Sequence, residues 1–208
     1  MAYQSFFKYG ETEINHLKKK DKKLGAVIDH IGIIKRPINT DAFSSLIESI
    51  VSQQISSKAA TSVCQKLHDL CGMDAERLAV MTVEEIQSCG MSMRKASYVK
   101  GIVDAVNDGS LNINGIAYMS DNEIIQTLTA FKGVGIWTAE MLLIFSLMRP
   151  NVVSYGDLAI RRGMMRLYNL KELPKDRFER YAKRYSPHGS VASLYLWHIS
   201  DPSVSISD

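Results

Sequence analysis

The sequence is poor in cysteine: its 208 residues hold three, Cys64, Cys71 and Cys89. An odd number at these spacings matches neither a disulfide framework nor a paired CxxC zinc pattern, so free and mostly buried thiols are expected. Long apolar runs are missing as well. No segment approaches the roughly 20 apolar residues of a membrane span, and the opening MAYQSFFKYG lacks the apolar stretch of a secretory signal. No membrane partner and a cytoplasmic location are therefore expected. Charge of one sign is equally scarce. Lys and Arg number 25 against 22 Asp and Glu, a formal net charge of +3, which excludes a strongly basic tail as the means of holding nucleic acid. The five histidines, His16, His30, His68, His188 and His198, show no metal-ligand spacing. No solenoid repeat or low-complexity stretch occurs. What is present is an ordinary globular balance, 46% hydrophobic and 23% charged, enough for one large core or two modest ones.

Helical periodicity dominates the chain and predicts an all-α fold. Phe43, Leu46, Ile47, Ile50, Val51 and Gln54 share one helical face behind Thr40 or Asp41 as N-cap. Ser57 is the expected cap of the next helix, with Ala60, Val63, Leu67 and Leu70 as its buried stripe and Gly72 as its stop. Thr82 with Glu85, and Ser120 with Glu123, have capping-box spacing. Between them Gly90 to Ser92 reads as a turn and Ala96, Val99, Ile102, Val103 and Val106 as a further stripe. Asp108-Gly109 and Asn114-Gly115 are turn signals without convincing alternating strands beside them. The longest apolar helix is expected over Thr138 to Arg149, ended by Pro150, with Asn151 to Gly156 as loop. Pro174 fits the first turn of another helix, and Ser190 to Ile199 a last one.

The informative segment is Leu128-Thr-Ala-Phe131-Lys132-Gly133-Val134-Gly135-Ile136-Trp137-Thr138-Ala139, read as helix, Gly-x-Gly turn and second helix. Glycines on both sides of Val134 allow a sharp turn and a close backbone approach. The amides opening the second helix present the positive end of its dipole, which suits a phosphate. Alone, this pattern is equally that of a tight helical hairpin. It is followed by Val152-Val-Ser-Tyr155-Gly-Asp157-Leu-Ala-Ile-Arg161-Arg162, which places one carboxylate in a loop beyond the hairpin.

Together these segments resemble the helix-hairpin-helix DNA glycosylase superfamily, in which LxxFxGVGxxTA is followed by an aspartate in a VxxxDxxIxR context. Ser49 to Ser56 is similar to the family's helix-end segment that enters the minor groove, and Gly90 to Lys100 to its earlier turn and helix. The resemblance covers about three quarters of the chain, Thr40 to Trp197. It implies two helical subdomains with a DNA-binding cleft between them. Residues 40–149 would form the central bundle, with the hairpin at about 121–149, and residues 1–39 plus 150–208 the lobe carrying the aspartate loop.

Bifunctional members of the superfamily carry a Schiff-base lysine two residues after the second glycine; here that residue is Trp137, and an indole is no such nucleophile. Many members hold an iron–sulfur cluster through four cysteines near the C-terminus, and no cysteine follows Cys89. The resemblance therefore points to the alkylation branch, the 3-methyladenine DNA glycosylase type, with no cofactor for catalysis, no cluster and no lyase activity. It implies a monomer that binds double-stranded damaged DNA and flips the target nucleotide out. Asp157 is the implied catalytic residue, and Trp137, Trp197, Met141 and Tyr155 are candidate base-pocket walls. For Asp157, helix N-capping is the alternative, and the two roles can coexist. Gln53, Gln54, Lys95, Lys132, Gly133, Val134, Gly135 and Thr138 are candidate DNA contacts. Gln54 resembles the family's wedge, Gln53 either meets the minor groove or braces the hairpin, and Arg162 resembles an internal support. The carbonyls of Thr129, Phe131 and Val134 are candidate ligands of a structural Na+ or K+. Two alternatives stay open: a glycosylase for a deaminated or oxidised base, and a non-catalytic helix-hairpin-helix DNA-binding protein. Lys18 to Lys23 is a lysine-rich run, read either as a solvated helix face or as weak auxiliary DNA affinity.

Overall fold

The computed structural model describes residues 5–204; the first four residues of the opening stretch and the last four of the chain lie outside the described residues. In chain order the elements begin with β1 (Ser5–Phe6), α1 (Glu11–Lys20), α2 (Lys22–Ile31) and β2 (Pro37–Ile38). There follow α3 (Ala42–Ser52), α4 (Ser57–Cys71), α5 (Ala75–Ala79), α6 (Val83–Ser88), α7 (Met93–Asn107), α8 (Asp121–Thr129) and α9 (Ile136–Phe145). The chain closes with α10 (Leu158–Tyr168), α11 (Lys175–Tyr185) and α12 (Gly189–Ile199). The fold is all-α apart from the two-residue antiparallel pairing of β1 with β2, which sequence patterning does not reveal because two residues show no alternation. The described residues divide into two compact units: Asn39–Leu147, and the segment up to Ile38 together with the chain from Met148.

The first unit is built on α3 and α9. Helix α3 starts where the Asp41 side chain accepts the Ser44 amide at 2.6 Å. It buries Phe43, Leu46, Ile47, Ile50 and Val51 against α4, α7 and α9. Each such apolar side chain contributes about 1.5–3 kcal/mol when fully buried. The apolar stripe ends at Val51: Gln54 lies beyond the helix, exposed and with φ +58. Helix α4 is capped by Ser56, whose hydroxyl accepts the Ala59 amide, rather than by Ser57. Its buried face continues through Cys64 and Cys71, not Leu70, which is 57% exposed. The Thr82–Glu85 and Ser120–Glu123 capping boxes both form. Helix α9 is apolar except for Thr138 and Glu140, and it buries Thr138, Ala139, Met141, Leu142, Leu143 and Ile144. It stops at Phe145, earlier than Arg149, and Met148 turns left-handed at φ +51. Pro150 is thus separated from the helix end by a turn.

The second unit is organised around α12, buried from Gly189 to Leu196 and again at Ile199. Helix α10 crosses it closely: a Cβ on Gly163 would stand 2.0 Å from the Leu196 carbonyl oxygen, so only glycine permits this spacing. Arg166 tightens the same pairing by donating to the carbonyls of Ile199, Asp201 and Val204. Pro174 is the N-cap of α11 rather than a residue of its first turn. No helix among the described residues is long and apolar enough to cross a membrane.

Candidate functional site

In the first unit, α8 and α9 form a helix-turn-helix hairpin. The turn is drawn tight by the Phe131 amide on the Leu128 carbonyl and the Val134 amide on the Phe131 carbonyl. Gly133 sits at φ +87, and a Cβ there would lie 2.2 Å from Cδ2 of Tyr98 on α7. Glycine is therefore required on two counts, conformation and space. Val134, 6% exposed, anchors the turn, while Lys132, Gly135 and Ile136 face solvent. Gly135 is the N-cap of α9, so no side chain caps that end, and the helix dipole points its positive pole outward.

Gln53 binds this hairpin from the end of α3. Its Nε2 donates at 2.9 Å to the Gly133 carbonyl and at 2.9 Å to Oγ1 of Thr138, itself buried. Of the two roles open to Gln53, bracing is the one its amide performs here. Lys95, expected among the DNA contacts, directs its ammonium inward: it donates to the carbonyls of Val51, at 2.7 Å, and of Gln53. Burial lowers its pKa, and its charge neutralises the C-terminal end of α3 rather than standing in solvent. These bonds hold the chain immediately before Gln54, at Val51 and Gln53. A left-handed non-glycine residue costs of order 1–3 kcal/mol and persists where its surroundings over-determine it. The arrangement leaves Gln54 exposed and left-handed just past the end of α3.

Thr129 closes α8, so its carbonyl lies past the intrahelical ladder, and the Phe131 carbonyl retains a lone pair beyond the one facing Val134. Backbone oxygens of this kind fit Na+ or K+ in donor type. Among the described residues no group of three or more His, Cys, Asp or Glu side chains is placed to hold a metal ion. All three cysteines are free and buried; burial, reinforced by Glu48, pushes the Cys64 thiol up to about 12.

In the second unit, Asp157 is the N-cap of α10 and only 7% exposed. Its Oδ1 accepts the amides of Ala159, at 2.8 Å, and Ile160, at 2.9 Å. Two backbone donors at the helix start thus face one carboxylate oxygen, an arrangement that orients the group. The loop that delivers it is fastened to α12. Ser190 Oγ accepts the Val152 amide at 3.0 Å and donates to the Arg149 carbonyl, and Ser193 Oγ donates to the Val152 carbonyl at 2.9 Å. Sequence reading missed these two serines. Their signal is hydroxyls at helical spacing inside an otherwise apolar helix.

Tyr155 is half-buried, edge-on to Phe178 with ring centroids 5.2 Å apart and with the Arg161 guanidinium 5.0 Å over its ring. Arg162, expected to brace the interior, is exposed; helical phase turns Arg161 inward instead. Trp137 and Trp197 are half-buried on α9 and α12, one in each unit, and Met141 is buried one turn after Trp137.

A helix-hairpin-helix with an uncapped second helix, followed in the chain by a buried, amide-held aspartate, describes a class of DNA-repair protein. Residues 47–188 match the family model of the HhH-GPD superfamily of base excision DNA repair proteins, and the chain belongs to that superfamily. DNA-3-methyladenine glycosylase 1 of Schizosaccharomyces pombe is 31% identical over 91% of this chain and 86% of its own length. The crystal structure of a DNA-3-methyladenine glycosidase from Bacillus halodurans superposes with a TM-score of 0.81 at 32% identity, covering 96% of this chain and 94% of the other. The S. pombe 3-methyladenine DNA glycosylase in complex with abasic DNA gives 0.79 at 29% identity, covering 90% and 95%.

Proposed function

We propose that this protein is a monofunctional DNA glycosylase that hydrolyses the N-glycosidic bond of alkylated purines, of the 3-methyladenine and 7-methylguanine type, in base excision repair. The observation that carries the reading is Asp157, a buried carboxylate held by two amides in a loop pinned to α12. The names of the similar proteins agree with it. The protein acts as a cytoplasmic monomer on double-stranded DNA.

The hairpin's role is electrostatic positioning. Amides around Gly133, Gly135 and Thr138, with Lys132 beside them, receive backbone phosphate, and Val134 keeps the turn rigid. The carbonyls of Thr129, Phe131 and Val134 hold a monovalent cation that offsets phosphate charge there. Gln54 enters the duplex and fills the space of the extruded nucleotide. For the base, Trp137 with Met141 in the first unit, and Trp197 and Tyr155 in the second, are each candidate walls; an indole face suits a cationic purine.

An N-alkylated purine already carries positive charge, so its departure needs little acid assistance. The bond from C1′ to the base nitrogen breaks with its electron pair going to the base, which becomes neutral. Asp157 stabilises the positive charge that develops on the sugar and orients water for attack at C1′. The water oxygen bonds to C1′ and its proton passes to Asp157 and then to solvent. The residue two after the second hairpin glycine is Trp137, which offers no amine, so the sugar is left as an intact abasic site. The test is release of free base from methylating-agent-treated duplex DNA, with gels run before and after alkali. Release of 3-methyladenine or 7-methylguanine with strand breaks only after alkali is expected. DNA binding without release of either base would refute the proposal.

A further inference from the structure

The elbow between α1 and α2 is a surface that the glycosylase reading leaves unused. Lys18, Lys19, Lys20, Lys22 and Lys23 straddle Asp21 there, a strong local asymmetry in a chain whose formal charge is +3. Asp21 does not neutralise the outer face. It is 5% exposed, and its oxygens are turned inward, Oδ1 to the Leu24 amide at 3.0 Å and Oδ2 to the Tyr168 hydroxyl at 2.5 Å. The same Oδ2 accepts Nη1 of Arg184 at 3.3 Å, which brings a further cation from α11 to the elbow. That guanidinium is held over the Tyr181 ring at 4.8 Å, and its side chain is 50% exposed. Lys18 pairs with Asp29 at 2.5 Å. Lys19, Lys20, Lys22 and Lys23 are all exposed, and no ion pair engages them among the described residues.

Helix stability accounts for three of these five lysines and opposes the other two. Lys18 to Lys20 end α1, where cations complement the helix dipole. Lys22 and Lys23 open α2, whose first turn holds no acidic residue, so they stand against the positive end of its dipole. The bare elbow also offers no exposed large apolar side chain between Lys18 and Lys23, so neither insertion into a lipid surface nor a packed protein interface is served. Exposed point charges without apolar company match the phosphates of a polyanion.

We propose that the α1–α2 elbow, through Lys19, Lys20, Lys22, Lys23 and Arg184, is a second, sequence-independent contact surface for the phosphate backbone of duplex DNA. The inference takes duplex DNA as partner from the proposed function, but its test does not require base excision.

Two variants of the full chain separate this role from helix stability: K19Q/K20Q/K22Q/K23Q and K22E/K23E. Binding to an undamaged, fluorescently labelled duplex is measured by anisotropy over a salt series, with thermal melting beside it. The slope of log affinity against log salt should fall by about one for each lysine that meets a phosphate, hence by about two or more in the quadruple variant. K22E/K23E should bind DNA more weakly while its Tm rises, because carboxylates favour the first turn of α2. A quadruple variant with wild-type slope and affinity overturns the proposal. So does loss of binding to phosphatidylserine vesicles with the DNA slope unchanged, which would make the elbow a lipid surface. Should the slope fall in a protein that releases no alkylated base, the elbow surface stands and the glycosylase reading fails.

Discussion

Replacing Asp157 by asparagine separates capping from catalysis at one atom. Oδ1 accepts the Ala159 and Ile160 amides at 2.8 and 2.9 Å, and asparagine keeps an oxygen of the same shape there. Asn and Asp are equivalent N-caps, so stability should change by less than about 0.5 kcal/mol. The charge, however, is gone. One unit charge about 4 Å from the cationic sugar, at an effective dielectric near 20, is worth about 4 kcal/mol. At about 1.4 kcal/mol per factor of ten, D157N should lower the single-turnover rate of base release roughly thousandfold. Asp157→Ala removes the acceptor as well and should cost about 1–2 kcal/mol of stability. For a chain of this size that lowers Tm by roughly 2–8 °C. The assay is base release with enzyme in excess over methylated duplex, with melting curves and duplex anisotropy on the same preparations. A D157N variant that keeps more than about a tenth of the wild-type rate would refute the electrostatic role and leave Asp157 as a helix cap.

Gly133→Ala places a methyl group 2.2 Å from Tyr98 Cδ2 at a φ of +87, and should cost at least about 2 kcal/mol while weakening duplex binding; an unchanged Tm would contradict the close approach. Burial raises the pKa of Glu48 above its unfolded value, partly offset by the Asn39 side chain. The folded state therefore holds that proton more tightly, and the stability present below the unfolded pKa is lost as pH rises through the folded one. Glu48→Gln cannot ionise, so its Tm should gain on wild type between acid and neutral pH; a difference that does not change with pH would disprove the account. Cys64, with its thiol pushed up to about 12, should resist iodoacetamide in the native protein and react after unfolding, as mass spectrometry of labelled peptides would read.

Local signals carried much of the architecture. Capping boxes at Thr82 and Ser120 and the stop at Gly72 are short-range hydrogen-bond and backbone preferences, legible from neighbouring residues and present in the fold. The Gly-x-Gly spacing was legible for the same reason, since Gly133 needs a positive φ. Helix ends without such punctuation were misjudged. Phe145 rather than Arg149 ends α9 because the chain turns left-handed at Met148, and Val51 rather than Gln54 ends the α3 stripe.

The sequence by itself determined the helices, the hairpin, the carboxylate beyond it and the absence of a lysine at position 137, because each is a property of residues close in the chain. Tertiary structure alone decided what distant partners do with their polar groups. Lys95 meets the carbonyls of Val51 and Gln53, Gln53 clasps Gly133 and Thr138, and Ser190 and Ser193 tether the loop that carries Asp157. Each of these bonds joins residues tens of positions apart. A buried donor or acceptor takes whichever partner the packing supplies, and only the packed chain reveals which lysine faces inward and which arginine stays in solvent.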